Sequence, residues 1–181
     1  VNKANHQGIV AKIIAKQAVD LNQLIKFSLG SEGNKILLIL DQIQDPQNLG
    51  AIFRVAEATG IDGVIISKSN SSPITASVRK VSAGATEFVK FSLISNLAQT
   101  IEKLKKEGFW ILGTSLDEKS KSIVDFDFPL PIAIVLGSEG TGMRVLTKSL
   151  CDYLVKIPMQ GKIQSLNVNQ AASIVLFEAM K

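Results

Sequence analysis

Three short stretches of this chain combine polar side chains and glycines in patterns that could do chemistry. The first is Asp45-Pro46-Gln47-Asn48-Leu49-Gly50, with Arg54 one turn beyond Gly50. Asp45 and Pro46 read as the capped start of a helix with Asn48 in its first turn. The face Leu49, Ile52, Phe53, Ala56 is apolar and should pack inward, so Arg54 points elsewhere. Helical side chains tilt toward the N-terminus, and Gly50 leaves room, so Arg54 is expected to reach back toward Asn48. The second stretch is Gly137-Ser138-Glu139-Gly140-Thr141-Gly142, directly after an apolar run. Glycines at such a point allow close approach of backbone to a ligand, or simply a tight turn. Glu139 between them could accept from hydroxyls or attract a cation. The third runs from Pro158-Met159-Gln160-Gly161 to Ser165-Leu166-Asn167. Ser165 or Asn167 there is a helix cap, and the free N–H groups behind it could face an anion or a purine edge.

These spacings exclude several common sites. No Lys-Ser or Lys-Thr follows Gly142, where Met143-Arg144 stand, so the second stretch is not a Walker A loop. Its glycines do not follow the dinucleotide order, and Ser138 is not the centre of a nucleophile elbow. One cysteine, Cys151, and one histidine, His6, leave no material for a disulfide framework, a multi-Cys metal site or a His-driven triad. No metal is therefore expected, and Cys151 reads as a packed thiol without a catalytic role.

The elements that must position these stretches follow from the apolar pattern. Runs at 36–40, 63–67, 87–91, 109–113, 132–136 and 153–157 read as about six strands. Helical patterns cover 20–29, 49–59, 76–83, 97–107, 144–150 and 167–180. Near-continuous apolar strands separated by helices imply a doubly wound α/β fold with a mostly parallel sheet. Ligands of such sheets bind beyond the carboxyl ends of the strands, which is where the three stretches fall. Phe109 and Trp110 read as core.

The chain has 181 residues, a net charge of +4, 46% hydrophobic and 20% charged residues, which describes a globular domain. No apolar run approaches the ~20 residues needed to cross a bilayer, so a cytoplasmic protein without a membrane partner is expected. The positive balance permits a polyanionic partner. Lys103, Lys105 and Lys106 read as a solvated helix face, whereas Arg79-Lys80, after a polar Ser/Asn/Thr stretch, suits a phosphate contact.

Taken together, Asn48-Leu49-Gly50-Ala51-Ile52-Phe53-Arg54-Val55-Ala56, Leu136-Gly137-Ser138-Glu139-Gly140-Thr141-Gly142-Met143, and Ile157-Pro158-Met159 with Ser165-Leu166-Asn167-Val168 resemble, in order, the three motifs of the SpoU/TrmH methyltransferases of the SPOUT class. Val78-Arg79-Lys80-Val81-Ser82-Ala83-Gly84-Ala85 and His6-Gln7-Gly8-Ile9-Val10-Ala11 look most like the bacterial 23S rRNA guanosine-2'-O-methyltransferase branch. The resemblance implies a C-terminal deep trefoil knot, a homodimer, and S-adenosylmethionine as methyl donor to a ribose 2'-hydroxyl of RNA. It implies that residues 1–33 lead in from an upstream L30e-like RNA-binding domain and that 34–181 form the catalytic domain. Leu136, Gly137, Gly140, Ile157, Met159, Ser165 and Leu166 would contact the cofactor. Arg54, as base or electrostatic stabiliser, would act with Asn48, Glu139, Ser165 and Asn167. Arg54, Arg79, Lys80 and Arg144 would contact RNA. Asn169 and Ile163-Gln164 depart from the family pattern, and neither is expected to touch the chemical positions. A tRNA methyltransferase of the same fold, a non-catalytic RNA-binding or assembly module, and a nucleotide-binding oxidoreductase are the rival readings, the misplaced glycines arguing against the last.

Overall fold

The computed structural model describes residues 14, 16–30, 34–117, 119–138, 140 and 142–181. Its frame is a sheet of seven parallel strands: β1 (Ile36–Leu40), β2 (Gly63–Ser67), β3 (Phe91–Ile94), β4 (Trp110–Thr114), β5 (Lys121–Ser122), β6 (Ile132–Leu136) and β7 (Tyr153–Lys156). Their order is β3-β2-β1-β6-β4-β7-β5. The helices are α1 (Leu21–Gly30), α2 (Pro46–Ala58), α3 (Ala76–Val81), α4 (Leu97–Lys106), α5 (Val145–Leu150) and α6 (Val168–Ala179).

The apolar runs form strands because both faces of each are covered. In β1, Ile36, Leu38 and Leu40 join one core with α2, α3 and α6, while Leu37 and Ile39 join a second with α1 and α4. Every residue of β1, β2 and β6 is buried, which is why they lack the polar alternation of a one-sided sheet. Helix starts carry the caps that their sequences suggest. Asp45 accepts from the Gln47 N–H with Pro46 in the first turn, and Asn96 accepts from Gln99. Between the two candidates for α6, Asn167 is the cap and forms a reciprocal box with Gln170.

Three expectations are corrected. The third strand begins at Phe91, because Gly84 takes φ +89° and Ala85–Glu87 form a 3-10 turn that tucks Ala85 and Val89 beneath α2. The two-residue edge strand β5 adds a seventh to the six expected, since two residues carry no period. Trp110 is 43% exposed, unlike its buried neighbour Phe109. Alternation turns it to the other face at the amino end of β4, where it packs on Tyr153 at 5.5 Å between ring centroids. Helix α1 packs on the sheet. Leu24 and Ile25 of α1 are buried in the second core, Leu24 sits against Gly63, and the Ser28 hydroxyl donates to Asp62 at 2.7 Å.

Candidate active site

The carboxyl ends of β4, β6 and β7 open into a cavity of about 140 Å³. The glycine loop after β6, the segment after β7 and the first turn of α6 close its other sides. All seven expected cofactor residues, Leu136, Gly137, Gly140, Ile157, Met159, Ser165 and Leu166, line this one cavity. Thr114, Ser115 and Leu116 also line it, and sequence reasoning missed them. Their signal was available: they follow a predicted strand on the carboxyl edge.

The glycines have separate reasons. A Cβ on Gly137 would lie 2.3 Å from the carbonyl carbon of Gly142 and the nitrogen of Met143. The loop therefore folds back directly on Gly137, and only a bare α-carbon fits. Ser138 and Gly142 exchange backbone hydrogen bonds of 3.2 and 3.0 Å, closing the turn, with Gly140 at φ +81° and Gly142 at φ +66°. Glu139, like the early stretch from His6 to Ala11, lies outside the described residues.

An ion pair between a buried carboxylate and a half-exposed arginine anchors the far end of the loop. Asp41, at the carboxyl end of β1 and 1% exposed, accepts from Arg144 Nε and Nη2, each at 3.0 Å. Thr147 Oγ1 adds a bond of 3.4 Å, and the Asp41 N–H donates to Leu136 O at 2.9 Å. Arg144 was expected to contact RNA; one side of its fork is instead committed to Asp41. On the other flank, Lys148 donates to Asp117, holding that carboxyl below its ordinary range, with help from the Ser115 hydroxyl. Cys151 packs against Gly113, and burial pushes its thiol up to about 12, so it offers no nucleophile at neutral pH.

Beside the cavity lies a polar cluster where α2 and α6 begin. Asn48 is buried, donates to Asp45 at 3.3 Å and accepts from Asn169 Nδ2 at 2.7 Å. This corrects the expectation for Asn169: it touches a chemical position directly. Val168 and Ala171, on either side of Asn169 in α6, line the cavity, so one helix start borders both regions. Asn167 is exposed and spends its side chain on the cap, and Ser165 is exposed at the cavity wall.

Arg54 is not brought to Asn48. Six residues along a helix separate the two by about 9 Å and roughly 120°. Arg54 is exposed, and no side chain among the described residues pairs with it. The space at Gly50 serves another purpose: a Cβ there would meet Val81 at 2.7 Å and the Val78 carbonyl at 2.8 Å, so α3 packs on it. On α3, Lys80 is exposed while Arg79 is ion-paired with Glu87.

Residues 35–177 match the model of the SpoU rRNA Methylase family. The chain belongs to this family. Among its SpoU relatives, it is 46% identical to the 23S rRNA (guanosine-2'-O-)-methyltransferase RlmB of Ralstonia nicotianae, covering 97% of this chain and 70% of that one. It is 43% identical to the RlmB of Pseudomonas aeruginosa, covering 97% and 71%. The SpoU methyltransferase AviRb from Streptomyces viridochromogenes, solved in complex with the cofactor AdoMet, superposes with a TM-score of 0.78 at 26% identity. That match covers 91% of this chain, which spans 64% of the length of the AviRb chain.

Proposed function

We propose that this chain transfers the methyl group of S-adenosylmethionine to the ribose 2'-hydroxyl of a guanosine in 23S rRNA. The observation that carries the reading is the convergence of the seven motif residues on one cavity, beside the Asn48–Asn169 cluster, in a SpoU chain. The cavity fits the cofactor: Gly137 lets the glycine loop close against its bare α-carbon as one wall, and the other walls mix apolar Leu136, Ile157 and Leu166 with Ser115 and Ser165. Leu136, Gly137, Gly140, Ile157, Met159, Ser165 and Leu166 would hold it. Bound there, S-adenosylmethionine supplies a sulfonium methyl that carries its own activation.

The chain must then make a ribose hydroxyl reactive. A guanidinium offers hydrogen-bond donors and positive charge rather than a free base, so Arg54 acts as an electrostatic stabiliser of the charge developing on the 2'-oxygen. Asn48, its amide held by Asp45 and Asn169, orients the ribose, with Ser165 and Asn167 completing the polar wall. Specificity for RNA is inherent, because the acceptor is the 2'-hydroxyl. Lys80 is exposed to meet phosphate, and Arg79 and Arg144 reach it with whatever donors their ion pairs leave.

Arg54 is exposed, away from the cavity lining, and uncommitted among the described residues, which supports a homodimer in which a second copy completes the acceptor side. Phe177 of α6 and Met180 just after it, 57% and 37% exposed, supply apolar surface for it. A deep trefoil knot agrees with the late strands β6 and β7 lying between earlier ones and with α6 returning to α2. No helix among the described residues is long and apolar enough to cross a membrane, and an rRNA substrate implies the cytoplasm.

The deciding experiment incubates unmodified 23S rRNA with labelled S-adenosylmethionine and analyses the nucleosides. Labelled 2'-O-methylguanosine is the expected product; label only in tRNA run in parallel would redirect the substrate. Arg54→Ala should lower turnover by about 10²–10³-fold, the scale of one lost oxyanion donor, with cofactor affinity preserved. Equal loss of both would remove Arg54 from the acceptor side.

A further inference from the structure

A second concavity of about 270 Å³ lies on the same carboxyl edge of the sheet, on the face of α4 and α5 rather than that of α2 and α6. Its walls include Ser67, Asn96, Leu97, Ala98, Arg144 and Leu146. Several polar groups there have donors to spare, although Thr147, which also lines the groove, spends its hydroxyl on Asp41. Ser67 is only 2% exposed, and alternation with Ile65 turns its hydroxyl to this face. No hydrogen bond among the described residues engages that hydroxyl, yet it is not sealed from the groove. Helix α4 has ten residues, and Asn96 caps only the Gln99 N–H, at 3.1 Å. The Leu97 and Ala98 N–H groups have no intrahelical acceptor, and both residues line the groove. Arg144 has five N–H donors, of which two are spent on Asp41, leaving three. No carboxylate among the described residues lines the groove; Asp41 lies behind Arg144.

A hydroxyl, two backbone N–H groups at a helix start and the spare edge of a guanidinium are donors of one kind, converging without a carboxylate among them. That is the chemistry of an oxyanion cradle. We propose that this groove is an anion subsite that holds a backbone phosphodiester of the substrate RNA. The claim rests on the RNA-methyltransferase reading for the identity of the anion's owner. Leu146, 64% exposed at the rim, offers an apolar surface to the adjoining sugar, which a free phosphate would not need. Because Arg144 also anchors the glycine loop through Asp41, a phosphate held here would sit on the residue that fixes the cofactor cavity.

The test uses Asn96→Asp in the full chain. Aspartate caps a helix as well as asparagine, so α4 keeps its start while a negative charge faces the anion. Inorganic phosphate titrated into the ¹⁵N-labelled chain should shift the Leu97 and Ala98 amides in the wild type and not in the variant. Binding of a 23S rRNA fragment should weaken about tenfold in the variant, with the slope of log K against log salt shallower by about 0.7, the share of one single-strand phosphate. Ser67→Ala, which deletes only the buried hydroxyl, should weaken RNA binding in the same direction by a smaller factor. Melting temperature and S-adenosylmethionine affinity should not change in either. Absent amide shifts would overturn the subsite; shifts with an unchanged RNA affinity and slope would overturn RNA as its occupant. Failure of the wild type to methylate any RNA, with the slope difference intact, would remove the methyltransferase reading and leave this one standing.

Discussion

At the scale of single residues, the arrangement turns on an amide that cannot rotate freely. Asn48 sits between an acceptor, Asp45, and a donor, Asn169, so its carbonyl and amino ends are assigned. Asn169→Ala removes that donor from a buried carbonyl oxygen. We expect a loss of stability of about 1 kcal/mol, the usual net value of such a bond. Turnover should fall about tenfold with KM for S-adenosylmethionine unchanged, because the defect is on the acceptor side. Asn169→Asp should be worse than alanine, since it points a carboxylate at the same oxygen. Steady-state kinetics on 23S rRNA separate these outcomes, and equal kcat for all three proteins would discard the role. The place of Asn48 in the first turn of α2 was legible because Asp45 and Pro46 mark a capped helix start. Asn169 was not, because its partner is 121 residues away and only the fold brings them together.

At the scale of elements, the glycine loop behaves as a rigid piece pinned at both ends. Gly137 pins it by backbone contact and the Asp41–Arg144 pair pins it to β1. Gly137→Ala must push residues 142–143 away, since backbone atoms at 2.3 Å have no rotamer to change. The strand before it is fully buried and holds its place, so the strain goes into the loop. We expect S-adenosylmethionine affinity to drop by at least about tenfold, with a stability loss of about 1–3 kcal/mol, the range for overpacking. Calorimetric titration beside thermal melting checks both, and wild-type affinity would mean that the loop yields elsewhere. The glycines and the strand before them were readable as a ligand turn. The ion pair was not: the resemblance assigned Arg144 to RNA, and nothing local in the sequence ties it to Asp41, 103 residues away. The same limit hid β5, whose two residues have no periodicity, and shifted β3, where a positive-φ glycine and a 3-10 turn occupy residues that look extended.

At the scale of the whole molecule, pattern reading recovers which segments are strands but not which strands are neighbours. The insertion of β6 between β1 and β4, and of β7 between β4 and β5, leaves no mark on local hydrophobicity. The packing of α1 was hidden for a related reason. Helix α1 is modest in amphipathic pattern and precedes the family motifs, so it looked like a tether. Its contribution to the fold can be stated and measured. Leu24 is fully buried, and Gly63 lacks a side chain where Leu24 packs: a Cβ added to Gly63 would lie only 2.5 Å from Leu24 Cδ1. Truncating Leu24 therefore opens a cavity in the second core against a strand that cannot move in to fill it. Leu24→Ala should cost about 2–5 kcal/mol, read from urea unfolding of the full chain. Methyl transfer and cofactor affinity, measured well below the transition, should match the wild type, because α1 lies on the opposite face from the Asn48 cluster. A helix that served only as a tether would give no measurable shift in the urea midpoint, and the catalytic domain would then begin after residue 33.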